Sequence, residues 1–154
     1  MAADSPVSKL LARARAAQAE YELFDQAQVD DVVAAIAWTI LEPERNRYLS
    51  ERAVEDTGLG DVDDKFRKNY RKTLGLLRDL TEAPSVGVIS EDSERGIIEI
   101  ARPVGVVGAI TPSTNPVATP TNKVMNALKG RNAIILAPSP RGEAVCGELV
   151  DLFQ

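Results

Sequence analysis

Histidine does not occur anywhere in these 154 residues, and cysteine occurs once, at Cys146. The missing histidine removes the commonest general base, the commonest metal ligand and any Ser-His-Asp triad from within this sequence. A single cysteine excludes an internal disulfide and is typical of a reducing compartment. We therefore expect a cytoplasmic location, no metal site, and chemistry that depends on other side chains.

Excess positive charge and long apolar runs are also missing. The net charge of −5 and the pI near 4.8 argue against nucleic-acid binding, which needs a basic face. No run approaches the roughly 20 apolar residues that span a bilayer, and the first residues lack the apolar core of a secretory signal. We expect no nucleic-acid or membrane partner. The one basic cluster is interpreted as a solvated helix face: Lys65, Arg67, Lys68, Arg71 and Lys72.

Residues 1–82 have the pattern of four helices. Ser5 followed by Pro6 is a start signal for the first helix, and Pro43 is a start signal for the third. The second helix shows a single apolar stripe: Val29, Val32, Val33, Ile36 and Ile40. Asp61 is the predicted cap of the fourth helix, whose expected buried face consists of Val62, Phe66, Tyr70, Leu74 and Leu77.

The second half predicts strands and helices in alternation. Residues 85–101 are interpreted as a β-hairpin with a charged turn. Residues 104–110 form a continuous apolar run, typical of a strand buried on both faces of a parallel sheet. The remaining elements are a helix at 117–128, a strand at 133–137 and a helix at 143–153, so residues 104–154 predict a βαβ unit and one further helix. Such sheets usually have about five or six strands, so the predicted α/β fold is incomplete.

The two predicted parallel strands are each followed by a polar loop, and open α/β sheets bind nucleotides at such loops. The first loop has hydroxyls at Thr111, Ser113 and Thr114 and precedes a helix, whose dipole favours an anion. Asn115 offers an uncharged amide donor of the type that stabilises an oxyanion. The alternative interpretation is that these residues only cap the helix and that the prolines stiffen the loop.

The second loop covers residues 137–142. Ser139 is suited to a ribose hydroxyl and Arg141 to a phosphate, although an ordinary surface role fits Arg141 equally well. No glycine-rich GxGxxG motif precedes either helix, so the usual dinucleotide fingerprint is missing. Cys146 shares a helix face with Leu149 and Phe153 and has no adjoining base, so we interpret it as a core residue and not as a nucleophile.

Residues 103–142, PVGVVGAITPSTNPVATPTNKVMNALKGRNAIILAPSPRG, resemble the first nucleotide-binding βαβ unit of the aldehyde dehydrogenase superfamily. The shared pattern is a strand ending in I-T-P, a loop, a helix, and a strand ending in a P-S or P-H-P loop. The T-N-P form together with P-x-P-R is most similar to the CoA-acylating branch, which includes acetaldehyde, propionaldehyde, succinate-semialdehyde and sulfoacetaldehyde dehydrogenases. Residues 53–69, AVEDTGLGDVDDKFRKN, also resemble that branch.

The resemblance implies an enzyme that oxidises a small aldehyde through a cysteine thiohemiacetal. Hydride passes to NAD or NADP, and the acyl group leaves as a thioester of coenzyme A. The implied fold is a Rossmann-like cofactor domain, a catalytic domain and an oligomerisation hairpin, of which residues 1–154 would be the N-terminal part. Residues 85–101 would be the hairpin, and the full-length protein would be a homo-oligomer.

The resemblance also assigns residues. The nicotinamide side of the cofactor would be bordered by Ile110, Thr111, Pro112, Ser113 and Thr114. The adenosine ribose side would be bordered by Ala137, Pro138, Ser139 and Arg141. Asn115 would be the oxyanion donor.

Two departures from the hydrolytic members favour the acylating branch. Hydrolytic members place the oxyanion asparagine one residue earlier, at Thr114, and have a lysine where this sequence has Ala137. The nucleophilic cysteine would lie beyond Gln154, so we expect this chain alone to be inactive. The alternatives are a non-catalytic nucleotide-binding or assembly module and a fragment of a hydrolytic aldehyde dehydrogenase.

Overall fold

Helices occupy the first half of the chain, and two small sheets and further helices occupy the second, in a computed structural model that describes residues 5–154. The elements are α1 (Pro6–Tyr21), α2 (Gln26–Leu41), α3 (Pro43–Thr57), α4 (Val62–Thr81), β1 (Gly87–Asp92), β2 (Ile97–Ala101), β3 (Val106–Thr111), α5 (Ala118–Lys129), β4 (Ala133–Pro138), a 3₁₀ turn (Pro140–Gly142) and α6 (Glu143–Leu152).

Side-chain caps explain where the first four helices begin. Ser5, Asp25, Glu42 and Asp61 each accept a hydrogen bond from a backbone N–H of the first turn that follows. These caps confirm the predicted starts at Ser5, Pro43 and Asp61. Gly58 ends α3 with a φ of 65°, a left-handed conformation that glycine adopts without strain.

The core lies around α2, whose apolar stripe is confirmed. Val33 and Ile36 pack with Val124 and Met125 of α5 in one buried cluster. Ile40 belongs to a second cluster with residues of α3, α6 and the segment before α5: Leu49, Ala53, Val117, Val145 and Leu149. Burying each large aliphatic side chain contributes about 1.5–3 kcal/mol, so α2 holds the helical half against the βαβ unit.

The strands form two separate pairs. β1 and β2 are antiparallel, from Gly87 opposite Ala101 to Asp92 opposite Ile97, which confirms the predicted hairpin. β3 and β4 are parallel, from Val106 opposite Ala133 to Thr111 opposite Pro138. The parallel pair with α5 between its strands is the predicted βαβ unit, and the α/β fold class is confirmed.

The expected burial of β3 on both faces is wrong for this part of the chain. Ala109 and Thr111 are buried, whereas Gly108 and Ile110, which alternate with them along the strand, are exposed. The predicted strand includes Val104, but the observed strand β3 begins two residues later, at Val106. The side chains of Val104 and Ile110 are 84% and 83% exposed. This alternation means that residues 5–154 cover only one face of the strand. Between Ser5 and Gln154, none of the helices has both the length and the apolar character needed to cross a membrane.

The predicted buried face of α4 is wrong at Tyr70 and Leu74, whereas Val62 and Phe66 are partly buried. Tyr70 and Leu74 are exposed at 43% and 42%. The buried residues are instead polar and follow one another at every fourth position: Lys65, Asn69 and Thr73. Further along the helix the prediction holds, because Leu77 packs against the core with Leu76 and Leu80.

A buried polar network between α3 and α4 explains this rotation. Asn46 Nδ2 donates to the Phe66 carbonyl at 3.0 Å, and Asn69 Nδ2 donates to Asn46 Oδ1 at 3.0 Å and to Ser50 Oγ at 3.2 Å. Ser50 Oγ donates to the Asn46 carbonyl at 2.7 Å. Since each buried polar group needs a partner, this network turns the polar side of α4 inward, and Lys65 turns inward with it.

Candidate functional site

The two loops predicted to bind a cofactor lie side by side. β3 and β4 run parallel, so their carboxyl ends meet at one edge, where Ile110 lies opposite Ala137 and Thr111 opposite Pro138. The backbone N–H of Ser139 donates to the Thr111 carbonyl at 3.0 Å and joins the loops just beyond the strands. The sheet edge is therefore a single surface to which both loops contribute, as expected for a nucleotide site in an open α/β sheet.

A close backbone approach also packs the loops against each other. A Cβ added to Gly142 would lie 2.8 Å from Pro116 Cβ, well inside van der Waals contact. Gly142 has a φ of −135°, which any residue adopts. Glycine is therefore required here only because there is no space for a Cβ. The sequence analysis missed this contact because nothing in the local pattern brings residues 116 and 142 together.

The predicted cofactor residues differ in accessibility. The exposed ones are Ile110, Pro112, Thr114, Ala137 and Arg141, and the partly exposed ones are Ser113, Pro138 and Ser139. Thr111 is the exception, because it is buried, with its side chain beside the Cys146 thiol. Burial raises the pKa of Cys146, and the contact with Thr111 opposes this shift. Cys146 is thus a buried thiol in the interior, which confirms its interpretation as a core residue.

The N-terminus of α5 faces this edge without a side-chain cap. Val117 occupies the capping position, and no side chain accepts a hydrogen bond from the first turn. The loop's serine, threonines and asparagine therefore do not cap α5 with their side chains, which contradicts the capping part of the alternative interpretation of the first loop. The first turn of α5 nevertheless offers few free backbone donors, because the Thr119 N–H is bonded to the Asn115 carbonyl and Pro120 has no N–H.

The Asn115 side chain has a buried oxygen without a hydrogen-bond partner among residues 5–154. This oxygen is Oδ1, while the backbone carbonyl accepts from the Thr119 N–H at 3.3 Å. Buried amide oxygens are nearly always paired in native proteins. Because the orphan atom is an acceptor, the partner it needs is a hydrogen-bond donor from outside residues 5–154.

Lys65 is the residue that the sequence analysis placed wrongly. It was expected on a solvated face, but it is only 4% exposed, and its Nζ donates to the Thr114 carbonyl at 3.3 Å. Among residues 5–154 no carboxylate forms an ion pair with it. Burial lowers the pKa of the Lys65 ammonium, and the like charge of Lys68 lowers it further. Its four-residue spacing to Asn69 and Thr73 was the signal that could have revealed a buried polar stripe.

The exposed groups of the first and second loops line the same edge of the sheet. No group of three or more cysteines, aspartates and glutamates between Ser5 and Gln154 is arranged to hold a metal ion. The edge thus carries two adjoining polar loops, and Asn115 lies in the first of them.

Known proteins are similar in sequence to this chain along its whole length. A sequence model of the aldehyde dehydrogenase family matches residues 1–154. Sulfoacetaldehyde dehydrogenase (acylating) from Cupriavidus necator is 64% identical over 153 residues, which cover 99% of this chain and 31% of that protein. Succinate-semialdehyde dehydrogenase (acetylating) from Clostridium kluyveri is 36% identical over 154 residues, covering 100% and 34% respectively. The chain thus spans about a third of the length of these curated relatives.

Solved structures agree in fold. An acetylating aldehyde dehydrogenase from Geobacillus thermoglucosidasius has a TM-score of 0.90 at 36% identity, over 96% of this chain and 32% of that one. Propionaldehyde dehydrogenase from Rhodopseudomonas palustris, with bound CoA and an acylated cysteine, has a TM-score of 0.73 at 29% identity, over 94% and 32%. An engineered glycolyl-CoA reductase with bound NADP+ has a TM-score of 0.70 at 29% identity, also over 94% and 32%. The predicted resemblance to the acylating branch is confirmed.

The contact between the loops predicts the effect of a single methyl group. Gly142→Ala should lower the free energy of unfolding by about 1–3 kcal/mol, because Pro116 must move to admit the new Cβ. Gly147→Ala is the matched control, since Gly147 lies in the exposed part of α6 with nothing within 4 Å, and alanine there should stabilise the helix by about 0.5–1 kcal/mol. Equilibrium denaturation of the two variants measures both. Equal stabilities for them would contradict the packing described.

Proposed function

The chain belongs to the aldehyde dehydrogenase family, and we propose that it is the N-terminal portion of a CoA-acylating aldehyde dehydrogenase. The proposed overall reaction converts an aldehyde, CoA and NAD(P)+ into acyl-CoA, NAD(P)H and a proton. The observation that supports it most directly is the joined edge of β3 and β4, where two polar loops meet. That edge lies within the region shared with acylating relatives.

We propose sulfoacetaldehyde as the first aldehyde to test. The basis is the 64% identity to a protein named sulfoacetaldehyde dehydrogenase (acylating), compared with 36% to one named for succinate semialdehyde. Both named substrates are small aldehydes with an anionic group at the other end, so an anionic aldehyde is the expected class.

The cofactor is proposed to be NAD or NADP, with CoA as co-substrate. When bound, the nicotinamide accepts the hydride of the aldehyde carbon. Ile110, Pro112 and Ser113 would border the nicotinamide side, together with the buried Thr111 and the exposed Thr114. Ala137, Pro138 and Ser139 would border the ribose, and the exposed Arg141 is available for a phosphate.

Asn115 is proposed to donate a side-chain N–H to the oxygen that becomes negative when the aldehyde carbon is attacked. Preorganised amide donors of this kind stabilise the transition state more than the ground state. The attacking thiolate cannot be that of Cys146, which is buried with a raised pKa. The nucleophile and the second part of the cofactor site are therefore proposed to come from residues outside this sequence.

The hairpin is proposed to mediate homo-oligomerisation. Its apolar side chains are largely exposed among residues 5–154: Val88, Ile89, Ile97, Ile98 and Ile100. An exposed two-stranded apolar ribbon is stable only when another surface covers it. We also place the enzyme in the cytoplasm, as the single cysteine suggests, with no nucleic-acid or membrane partner.

Turnover by the complete enzyme tests this function. We expect NADH or NADPH to form from sulfoacetaldehyde only when CoA is present, with an acyl-CoA as the other product, and we expect none from the isolated 154-residue chain. Aldehyde oxidation that proceeds equally well without CoA would indicate a hydrolytic member. A stop codon directly after Gln154, together with nucleotide binding but no turnover, would indicate a non-catalytic module.

Replacement of the proposed donor tests the site. Asn115→Ala in the complete enzyme should lower kcat by roughly 100-fold or more, because an oxyanion donor is removed from the transition state. Asn126→Ala is the control, since Asn126 is exposed near the other end of α5 and its side chain donates, among residues 5–154, to the Asn122 carbonyl alone, at 2.7 Å. Steady-state kinetics measures both variants. An unchanged kcat for Asn115→Ala would remove Asn115 from the mechanism.

A further inference from the structure

Lys65 is a buried cation without an anionic partner in residues 5–154. Its side chain is 4% exposed, and no salt bridge in that part of the chain includes it. An unpaired buried ammonium is costly, because it loses its hydration without gaining a counter-charge. The position also opposes the charge, since Lys65 lies in the first turn of α4, at the positive end of the helix dipole. Such a residue is unfavourable for folding and is a candidate for a functional role.

Two features hold the ammonium where it lies. The network of Asn46, Ser50 and Asn69 fixes the rotation of α4 about its axis, four residues from Lys65. The turn after α3 closes over the side chain, because Gly60 has a φ of 78° and a Cβ added there would lie 3.6 Å from Lys65 Cε. Both features leave the ammonium directed at the first loop.

The single hydrogen bond described for the Lys65 side chain reaches the peptide that precedes Asn115. Nζ donates to the Thr114 carbonyl at 3.3 Å, while Asn115 Oδ1 is buried next to it in the chain with no donor. No side chain of the loop caps α5, and the Asn115 carbonyl, on the other side of this residue, accepts from the Thr119 N–H at 3.3 Å. The carbonyl bonded by Lys65 therefore constrains the peptide plane from which the Asn115 side chain starts.

We propose that Lys65 is the positioning residue of the oxyanion site, holding the Thr114–Asn115 peptide so that the Asn115 amide is aimed at the reacting oxygen. This inference rests on the proposed role of Asn115. Lys65 touches neither substrate nor cofactor in this scheme, and it acts through the loop. Small displacements of a positioned group are enough to cost large factors in rate.

Lys65→Met in the complete enzyme separates this role from a structural one. Methionine keeps most of the volume and removes both the charge and the donor. We expect kcat to fall roughly 10- to 100-fold, with KM for the aldehyde and for CoA changed by less than about threefold, since only transition-state stabilisation is lost. The melting temperature should stay the same or rise, because an unpaired buried charge has been removed.

Lys68→Met is the matched control, one turn further along α4, and it should leave kcat unchanged. Lys65→Gln is the second variant, in case methionine disturbs folding. Its side chain is polar but one bond too short to reach Thr114, so the same loss of kcat is expected. Unchanged kcat in both Lys65 variants would overturn the proposal, as would a loss of activity that only follows a loss of thermal stability.

A double-variant cycle tests whether Lys65 acts through Asn115. If it does, Lys65→Met combined with Asn115→Ala should be no more than about twofold slower than Asn115→Ala alone. Multiplied losses in the double variant would overturn the proposal. The two claims fail differently: an unchanged kcat for Asn115→Ala removes the proposed donor and Lys65 with it, whereas a large loss for Asn115→Ala with none for Lys65→Met removes only Lys65.

Discussion

The burial of the Lys65 ammonium against the Thr114 carbonyl is the constraint on which the site depends. It connects the helical half of the chain to the loop that follows β3, across 49 residues of sequence. The contact exists only because α4 turns a polar side inward, and the amide network between α3 and α4 sets that turn. In the proposed scheme the Lys65 ammonium is unfavourable for folding and positions the loop that carries Asn115.

The sheet edge shows how backbone geometry alone prepares a binding surface. Parallel pairing brings the ends of β3 and β4 together, the Ser139 N–H joins their loops, and the missing Cβ of Gly142 lets Pro116 approach. None of these three contacts depends on a cofactor. They form a base that carries the partly exposed Ser113 and the exposed Arg141, and such preorganisation would limit the entropic cost of binding the proposed cofactor.

Periodicity and capping signals were sufficient to predict most of the fold. The apolar stripe of α2, the caps at Ser5 and Asp61 and the βαβ order are local patterns, and the structure confirms them. Lys65 was misplaced because a charged residue among other charges indicates solvent, and only the distant partners Asn46 and Ser50 reverse that indication. Ile110 was expected inside because the sequence of a strand does not show which of its faces its own chain covers. In both cases the burial of the side chain depends on residues that are distant in the sequence.

The central claim is that Asn115 is aimed by its loop at the oxygen of the reacting acyl group. The structure of the complete enzyme, acylated on its nucleophile and bound to CoA, measures this directly. The account predicts Asn115 Nδ2 at about 2.7–3.1 Å from the thioester oxygen, with Lys65 Nζ still bonded to the Thr114 carbonyl. An acyl oxygen bound by other donors, with the Asn115 amide turned away from it, would contradict the account.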